Sequence, residues 1–361
     1  MLQTPLHEWH TAHNAKMAPF AGWDMPIQYE DGILAEHAHT RESASIFDIC
    51  HMAQFIVKGE NAAELLKKAV SHNLDTLAAG KCRYGFLLTE QGTVIDDLIV
   101  YRFAEDHFFL VVNAGCAEKD FKTLAKRLGE ENIENISAKS GKIDLQGPKS
   151  LEVLETVTGQ NFHNLKYFSF TRIDYKGHAL LVSRTGYTGE LGYELYCPRE
   201  AVLTLWEDLL AHELVKPAGL GARDTLRLEC GLALYGHELN EEHTVAESNL
   251  AGMLTSESDY IGKIPAMEVK NELLVPLKLE GRRTVRNGDS VIKEAGSNEV
   301  IGTVASGSFA PSLGFAIAFA FVKKEYADQA EFILKAGRSE LNAQKTTAPF
   351  FTQGTARMKL S

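Results

Sequence analysis

Apolar positions crowd the stretch at residues 92–102, GTVIDDLIVYR, which follows a turn-like TEQG at 89–92. Its Val, Ile and Tyr content predicts a β-strand. With side chains alternating, Ile95, Asp97, Ile99 and Tyr101 share one face, and Asp96, Leu98, Val100 and Arg102 share the other. Both faces are largely apolar, so the pattern predicts a strand covered on both sides with two carboxylates embedded in it. An unpartnered buried carboxylate is expensive. Either the pair sits wet just past a hairpin turn, or at least one Asp is held there for a specific purpose.

The surrounding pattern places this strand in a mixed lobe. Asn61 is positioned to cap a helix whose stripe is Ala62, Ala63, Leu65, Leu66 and Val70. The run CRYGFLLTEQGTVIDDLIVYRF predicts a hairpin with Tyr84, Phe86 and Leu88 alternating on the incoming strand. HFFLVVNAG predicts another strand ending at Asn113, followed by a helix on Phe121, Leu124 and Leu128. Upstream, His7, His10 and His13 fall on a helix as solvent-facing residues, and residues 17–32 predict an irregular packed loop.

Further along, KIDLQGPKSLEVLETVTG gives a strand, a Gly147-Pro148 break and a helix with Pro in its first turn. Residues 167–197 alternate as strands, and 203–210 form a helix that buries Trp206. PAGLGARDTLRLECGLALYG reads as a glycine-bearing turn feeding a helix. From about Leu274 short β-like runs broken by glycines predict a separate small barrel or sandwich. The order of elements predicts an α+β protein.

At 361 residues the chain is expected to hold two or three domains. No apolar run approaches the roughly 18 residues of a membrane span. The start, MLQTPLHEWHTAH, lacks the look of a secretory or transit leader, so a cytoplasmic location is expected. A net charge of −11 argues against broad nucleic-acid binding. The five cysteines are scattered without a C-x-x-C pair, which predicts free thiols and no zinc site.

Gly186, Gly189 and Gly192 are spaced G-x-x-G-x-x-G, and GLGARD puts Asp224 where a third glycine would stand, so neither fits a nucleotide loop. Both groups suit tight turns and close backbone approach to something flat. Arg223 belongs either to a helix-surface ion-pair network with Asp224, Arg227 and Glu229 or to a pocket, where its fork suits a carboxylate or polar heterocycle. Glu194 is either a solvated outer residue or a planar acceptor on a pocket wall, taking two parallel bonds from an amino-heterocycle.

Taken together, TPLHEWH, FAGWDMPIQY, FDICHM, YGFLLTEQGTVIDDLIVYR, VVNAG, LQGPKS, SRTGYTGELGYE, PAGLGARDTLRLECGLALYGHEL, DYIGK, GSFAPSLG and PFFTQGTAR cover nearly the whole chain in order. They resemble the T proteins of the glycine cleavage system, tetrahydrofolate-dependent aminomethyltransferases. The resemblance implies a three-domain α+β cloverleaf around a central folate channel, with a C-terminal β-barrel. In these terms residues 1–273 form two interleaved lobes, roughly 1–50 with 140–240 and 51–139 with 241–273, and residues 274–361 form the barrel. It also implies Asp97 as the catalytic carboxylate and Glu194, Arg223 and Arg357 as folate-binding residues, with Tyr84, Asn113, Tyr167, Tyr187 and Met52 lining the channel. Departures from the family pattern are Cys50 for a Ser, Val245 for a Pro with no Trp following, and Phe315 for a basic residue.

The implied reaction passes a one-carbon unit from aminomethyl-lipoyl H protein to tetrahydrofolate, releasing ammonia and 5,10-methylenetetrahydrofolate, with no metal. The implied partners are lipoylated H protein and folate, and neither nucleic acid nor membrane. Two other readings stay open: a tetrahydrofolate-dependent demethylase of the same fold acting on a small molecule, and a non-catalytic folate-binding protein. The K-G-C-Y-x-G-Q-E signature of the latter is missing from the sequence.

Overall fold

The computed structural model describes residues 1–360. Two open sheets and one closed barrel organise the chain. The strand at the centre of the sequence reading, Val94–Ala104, lies in a five-stranded sheet with Lys81–Leu88, His107–Val112, Ala53–Lys58 and Ile133–Asn135. A six-stranded sheet is built from Phe170–Tyr175, His178–Ser183, Gly192–Pro198, Ser140–Gln146, Ala44–Asp48 and Val215–Pro217. The barrel closes through six strands between Glu272 and Lys345.

Each of the three has its own apolar core. The six-stranded sheet packs Ile143, Leu145, Leu195 and the fully buried Trp206 of helix Val202–Leu210. The five-stranded sheet packs Phe55, Leu98, Val100 and Leu110 under helices Ala62–Ala69 and Ala117–Leu128. The barrel fills with small aliphatics, among them Val275, Leu277, Ala318 and Leu334. Where the two open sheets meet, Tyr101 and Phe109 pack on Leu181 and Tyr196. The barrel meets the rest through Leu228, Leu274, Phe319 and Phe321.

The hairpin forms as the pattern predicts, with Phe86 opposite Asp97 and Tyr84 opposite Ile99. Its turn needs Gly92 at φ +80°, and a Cβ there would collide with the backbone of Pro265 and Ala266. The predicted alternation breaks once. Leu87 pairs Asp96 while Leu88 pairs Val94, leaving Ile95 as an extra residue in a bulge. Ile95 therefore packs in the same core as Leu98 and Val100, on the face opposite Asp97.

Other expectations need correcting. Residues 17–32 are not an irregular loop: Lys16–Phe20 and Trp23–Gln28 pair as a β-hairpin. His10 is fully buried on Asp48 at 2.9 Å, with the Tyr29 hydroxyl on its other nitrogen at 2.8 Å. Asn61 precedes its helix in a left-handed conformation without a side-chain cap, and Val70 is already extended. Pro148 lies outside the helix Ser150–Thr158. No helix among the described residues is long and apolar enough to cross a membrane.

Candidate active site

Asp97 is partly exposed, on the face of its strand that looks away from the five-stranded sheet's core. Asn113, just past strand His107–Val112, ties the two aspartates together. Its side-chain amide donates to Oδ1 of Asp97 at 2.9 Å and to Oδ1 of Asp96 at 2.9 Å, and its backbone N–H donates to Oδ2 of Asp96 at 2.9 Å. Asp96 is fully buried beneath it. Burial, then the neighbouring Asp96 charge, push the Asp97 carboxyl up to about 7, while the Tyr84 hydroxyl and Asn113 pull the other way. A carboxyl poised there can hold or release a proton at neutral pH.

Behind Asp96 lies Asp120 of helix Ala117–Leu128, fully buried, with neither oxygen meeting an N–H or hydroxyl donor. Burial and then the charge of Asp96 push its carboxyl up to about 10. A carboxyl raised so far favours its neutral form beside the charged Asp96. Cys116 completes this buried group, with candidate ligand atoms all within 4.8 Å of one another.

Tyr187, close enough to feel the Asp97 charge, belongs to a second cluster. Its hydroxyl donates to the carbonyl of Ala233, and the Arg223 guanidinium stands 4.9 Å from its ring centroid. Arg223 projects from helix Leu220–Glu229 and pairs with Asp144 of the central strand Ser140–Gln146. Directly opposite Asp144 in the sheet register is Glu194. Glu194 is buried, receiving Lys142 Nζ on Oε1 at 2.8 Å. Its Oε2 lies 2.8 Å from Thr185 Oγ1, 3.0 Å from the Tyr196 hydroxyl and 3.2 Å from that of Tyr101. Burial raises the Glu194 carboxyl, but the Lys142 charge and these donors outweigh it and hold it below the usual range. Burial also lifts Asp144 to about 6, the Arg223 charge opposing it.

The remaining predicted residues join at the edges. The sulfur of Met52 is 3.4 Å from Lys142 Nζ. Tyr167 and the exposed Arg357, 5.7 Å from guanidinium carbon to ring centroid, line a cavity of about 480 Å³ with Gly186, Cys230 and Phe351. Asp97, Glu194 and Arg223 do not line it. The C-terminal segment closes one side: Thr355 Oγ1 bonds Glu190 at 2.5 Å, and the Ala356 N–H bonds the carbonyl of Gly189 at 3.1 Å.

Sequence comparison matches the GCVT N-terminal domain over residues 6–257 and the glycine cleavage T-protein C-terminal barrel domain over residues 273–352. The chain belongs to the glycine cleavage T-protein family. It is 41% identical to the aminomethyltransferase of Chloroherpeton thalassium over 337 residues, covering 91% of this chain and 92% of that one. It is 40% identical to the aminomethyltransferase of Caldanaerobacter subterraneus over 347 residues, covering 92% of both chains. Among solved structures, the glycine cleavage system aminomethyltransferase T from Bartonella henselae superposes with a TM-score of 0.91 at 32% identity, across 98% of this chain and 99% of that one.

Within this T-protein-family chain, Glu194 is not on a solvated outer face. Nor is Arg223 part of the helix-surface network read from the sequence. Arg227 pairs with Asp224 and Glu238, and Glu229 with Arg41 and His37, leaving Arg223 to Asp144. The flat group approached by Gly186 and Gly192 is the Gln146 amide, 2.1 Å from where their Cβ atoms would lie, whereas Gly189 meets the Cys230 sulfur and Gly219 the Ile27 backbone. Of the departures, Val245 is fully buried in an apolar cluster with Leu239 and Tyr260, and Lys278 rests over the Phe315 ring. Cys50 is buried against Lys142 of the neighbouring strand.

Three ionisable residues escaped the sequence reading: Lys142, Asp144 and Asp120. The first two did leave a trace, since the KIDLQ strand puts Lys142, Asp144 and Gln146 on one face with Ile143 and Leu145 on the other. Asp120, inside an amphipathic helix, left none.

Proposed function

We propose that this protein is the aminomethyltransferase of a glycine cleavage system, taking the one-carbon unit from aminomethyl-lipoyl H protein to tetrahydrofolate. The observation that carries the reading is the near-neutral Asp97 carboxyl, fixed by Asn113 against a buried Asp96 and flanked by Tyr84.

The residues present suit a reduced folate in most respects. Tyr84, Tyr187 and Tyr167 supply aromatic walls, Arg357 supplies a cation at the mouth for an anionic tail, and Arg223 keeps N–H donors beyond the one given to Asp144. Tetrahydrofolate accepts the carbon on two nitrogens. Two N–H protons leave it, one for the departing ammonia and one for the lipoyl sulfur. The protein's own part is placement and proton handling. Asp97 receives or shields positive charge next to the reacting nitrogens, with Asn113 fixing the direction of its lone pairs. The aromatic walls exclude water from the donor carbon. Holding two large reactants in register accounts for much of the rate in such a reaction.

The test is a glycine-cleavage assay with lipoylated H protein, with and without tetrahydrofolate, read as methylenetetrahydrofolate and ammonia. Production of both that depends on H protein and on Asp97 is expected. Turnover of small methylamines without H protein would reassign the protein to a demethylase, and folate binding without turnover of either donor would make it a non-catalytic binder.

A further inference from the structure

The carboxylate expected to hold an amino-heterocycle is already engaged by the protein. A carboxylate oxygen has two lone pairs. Oε2 of Glu194 faces three hydroxyls within 3.2 Å, and Oε1 carries the Lys142 ammonium at 2.8 Å. Only one acceptor position, on Oε1, remains open, so two parallel N–H donors cannot reach both oxygens without displacing a partner. Arg223 gives one N–H to Asp144, itself fixed by Gln146 Nε2 at 2.5 Å, and keeps its other donors, so Asp144 sets the direction of the guanidinium without saturating it. Lys142, Asp144 and Glu194 are each at least 97% buried, so these pairs are part of the site's floor and not solvent-screened decoration.

The two pairs are also coupled. Glu194 and Asp144 face each other across adjacent strands, and Lys142 lies on the same strand face as Asp144. Lys142 is held a second time by the Met52 sulfur and lies 5.4 Å from the Tyr196 ring centroid. The floor is closed as it stands, with each charge on its internal partner; a ligand at Glu194 and Arg223 requires an open arrangement in which both turn to it.

We propose that Lys142 and Asp144 are specificity-determining residues of the folate site, competing internally with the pterin for Glu194 and Arg223. This rests on the folate reading of the preceding section. A ligand binds only as tightly as the open arrangement is populated, so the closed pairs lower its apparent affinity. They also select ligands that can replace both partners at once, offering paired N–H donors to Glu194 and an acceptor to Arg223. A ring that lacks either is left facing a satisfied, closed floor.

The experiment is calorimetric titration of the full chain with 5-formyltetrahydrofolate, an air-stable reduced folate, using the wild type, Lys142→Met, Asp144→Asn and the double variant. Each variant's fold is checked by its circular dichroism melt. Methylenetetrahydrofolate formation then separates the KM for tetrahydrofolate from kcat. The double variant is expected to bind about tenfold more tightly, with KM falling and kcat changing far less. A purely structural role for the pairs would leave binding unchanged or weaken it. Wild-type binding that the double variant fails to improve overturns the proposal and leaves the folate reading standing. Undetectable binding by the wild type and every variant overturns both. Should Lys142→Met not fold, Asp144→Asn decides alone, because it keeps the volume of Asp144; tighter binding supports the proposal and equal or weaker binding overturns it.

Discussion

The side-chain amide of Asn113 lies 2.9 Å from the carboxylate of Asp97. The same amide lies 2.9 Å from Asp96, so one residue spaces two carboxyl groups that successive strand positions would otherwise leave to repel. One aspartate is buried and fixed while the other stays accessible with its proton in play.

Asp97→Asn keeps the shape of the side chain and removes its proton chemistry. Turnover is expected to fall by about 10²–10⁴-fold, while 5-formyltetrahydrofolate affinity stays within about threefold, since placement rests on other residues. Steady-state assay and calorimetry on the same preparation separate the two.

The same variant should be more stable than the wild type at neutral and alkaline pH. Asp97 titrates near 3.8 when unfolded and about 7 when folded. Between these values the folded chain holds a proton that the unfolded chain has released, so this group's contribution to stability declines as pH rises, until pH passes 7. Asparagine is neutral throughout and escapes the loss. The melting temperature of Asp97→Asn minus that of the wild type should grow from pH 4 to pH 7 and then level off, by on the order of 2–4 °C. A flat difference would mean that Asp97 carries no raised pKa.

Asn113→Ala removes donors from both aspartates. Because the Asn113 amide favours the charged form of Asp97, its loss should move the acid limb of the kcat/KM profile to higher pH. Leaving Asp96 buried with a lost partner should also cost about 1–3 kcal/mol in denaturant unfolding. A profile superimposable on the wild type would remove Asn113 from the proton chemistry.

Gly192→Ala places a methyl 2.1 Å from the Gln146 amide, which bonds Asp144, the Thr185 carbonyl and the Thr188 hydroxyl. The strand cannot yield without disturbing its pairing with Ser140–Gln146. A loss of about 1–3 kcal/mol is expected from overpacking, together with tighter folate binding as Asp144, freed from its support, loosens its hold on Arg223. Chemical unfolding and calorimetry check the two effects independently.

Much of the architecture could be read along the chain because it rests on periodicity. The Tyr84–Phe86–Leu88 alternation predicted one arm of the hairpin, the Phe121–Leu124–Leu128 spacing predicted its covering helix, and glycine-punctuated short runs predicted the barrel. The failures have local causes. The Ile95 bulge inserts one residue without changing composition, which reverses the face of a single side chain. The 17–32 segment hides a hairpin because Pro and Gly within it mimic a loop. His10 reads as a surface histidine until Asp48, distant in sequence, is brought to its ring.

The sequence by itself determined most of the strands and helices, though not the 17–32 hairpin, placed Asp97 on a strand rich in apolar residues, and carried the family motifs in order, since each depends on residues near one another in the chain. The tertiary structure alone decided which charges meet. Lys142 with Glu194, Arg223 with Asp144 and Asp120 behind Asp96 are pairings across strands and helices, fixed by sheet register and burial. The physical reason is that burial and opposing partners, which set a carboxyl's protonation and its freedom to bind, are properties of the surroundings that folding assembles.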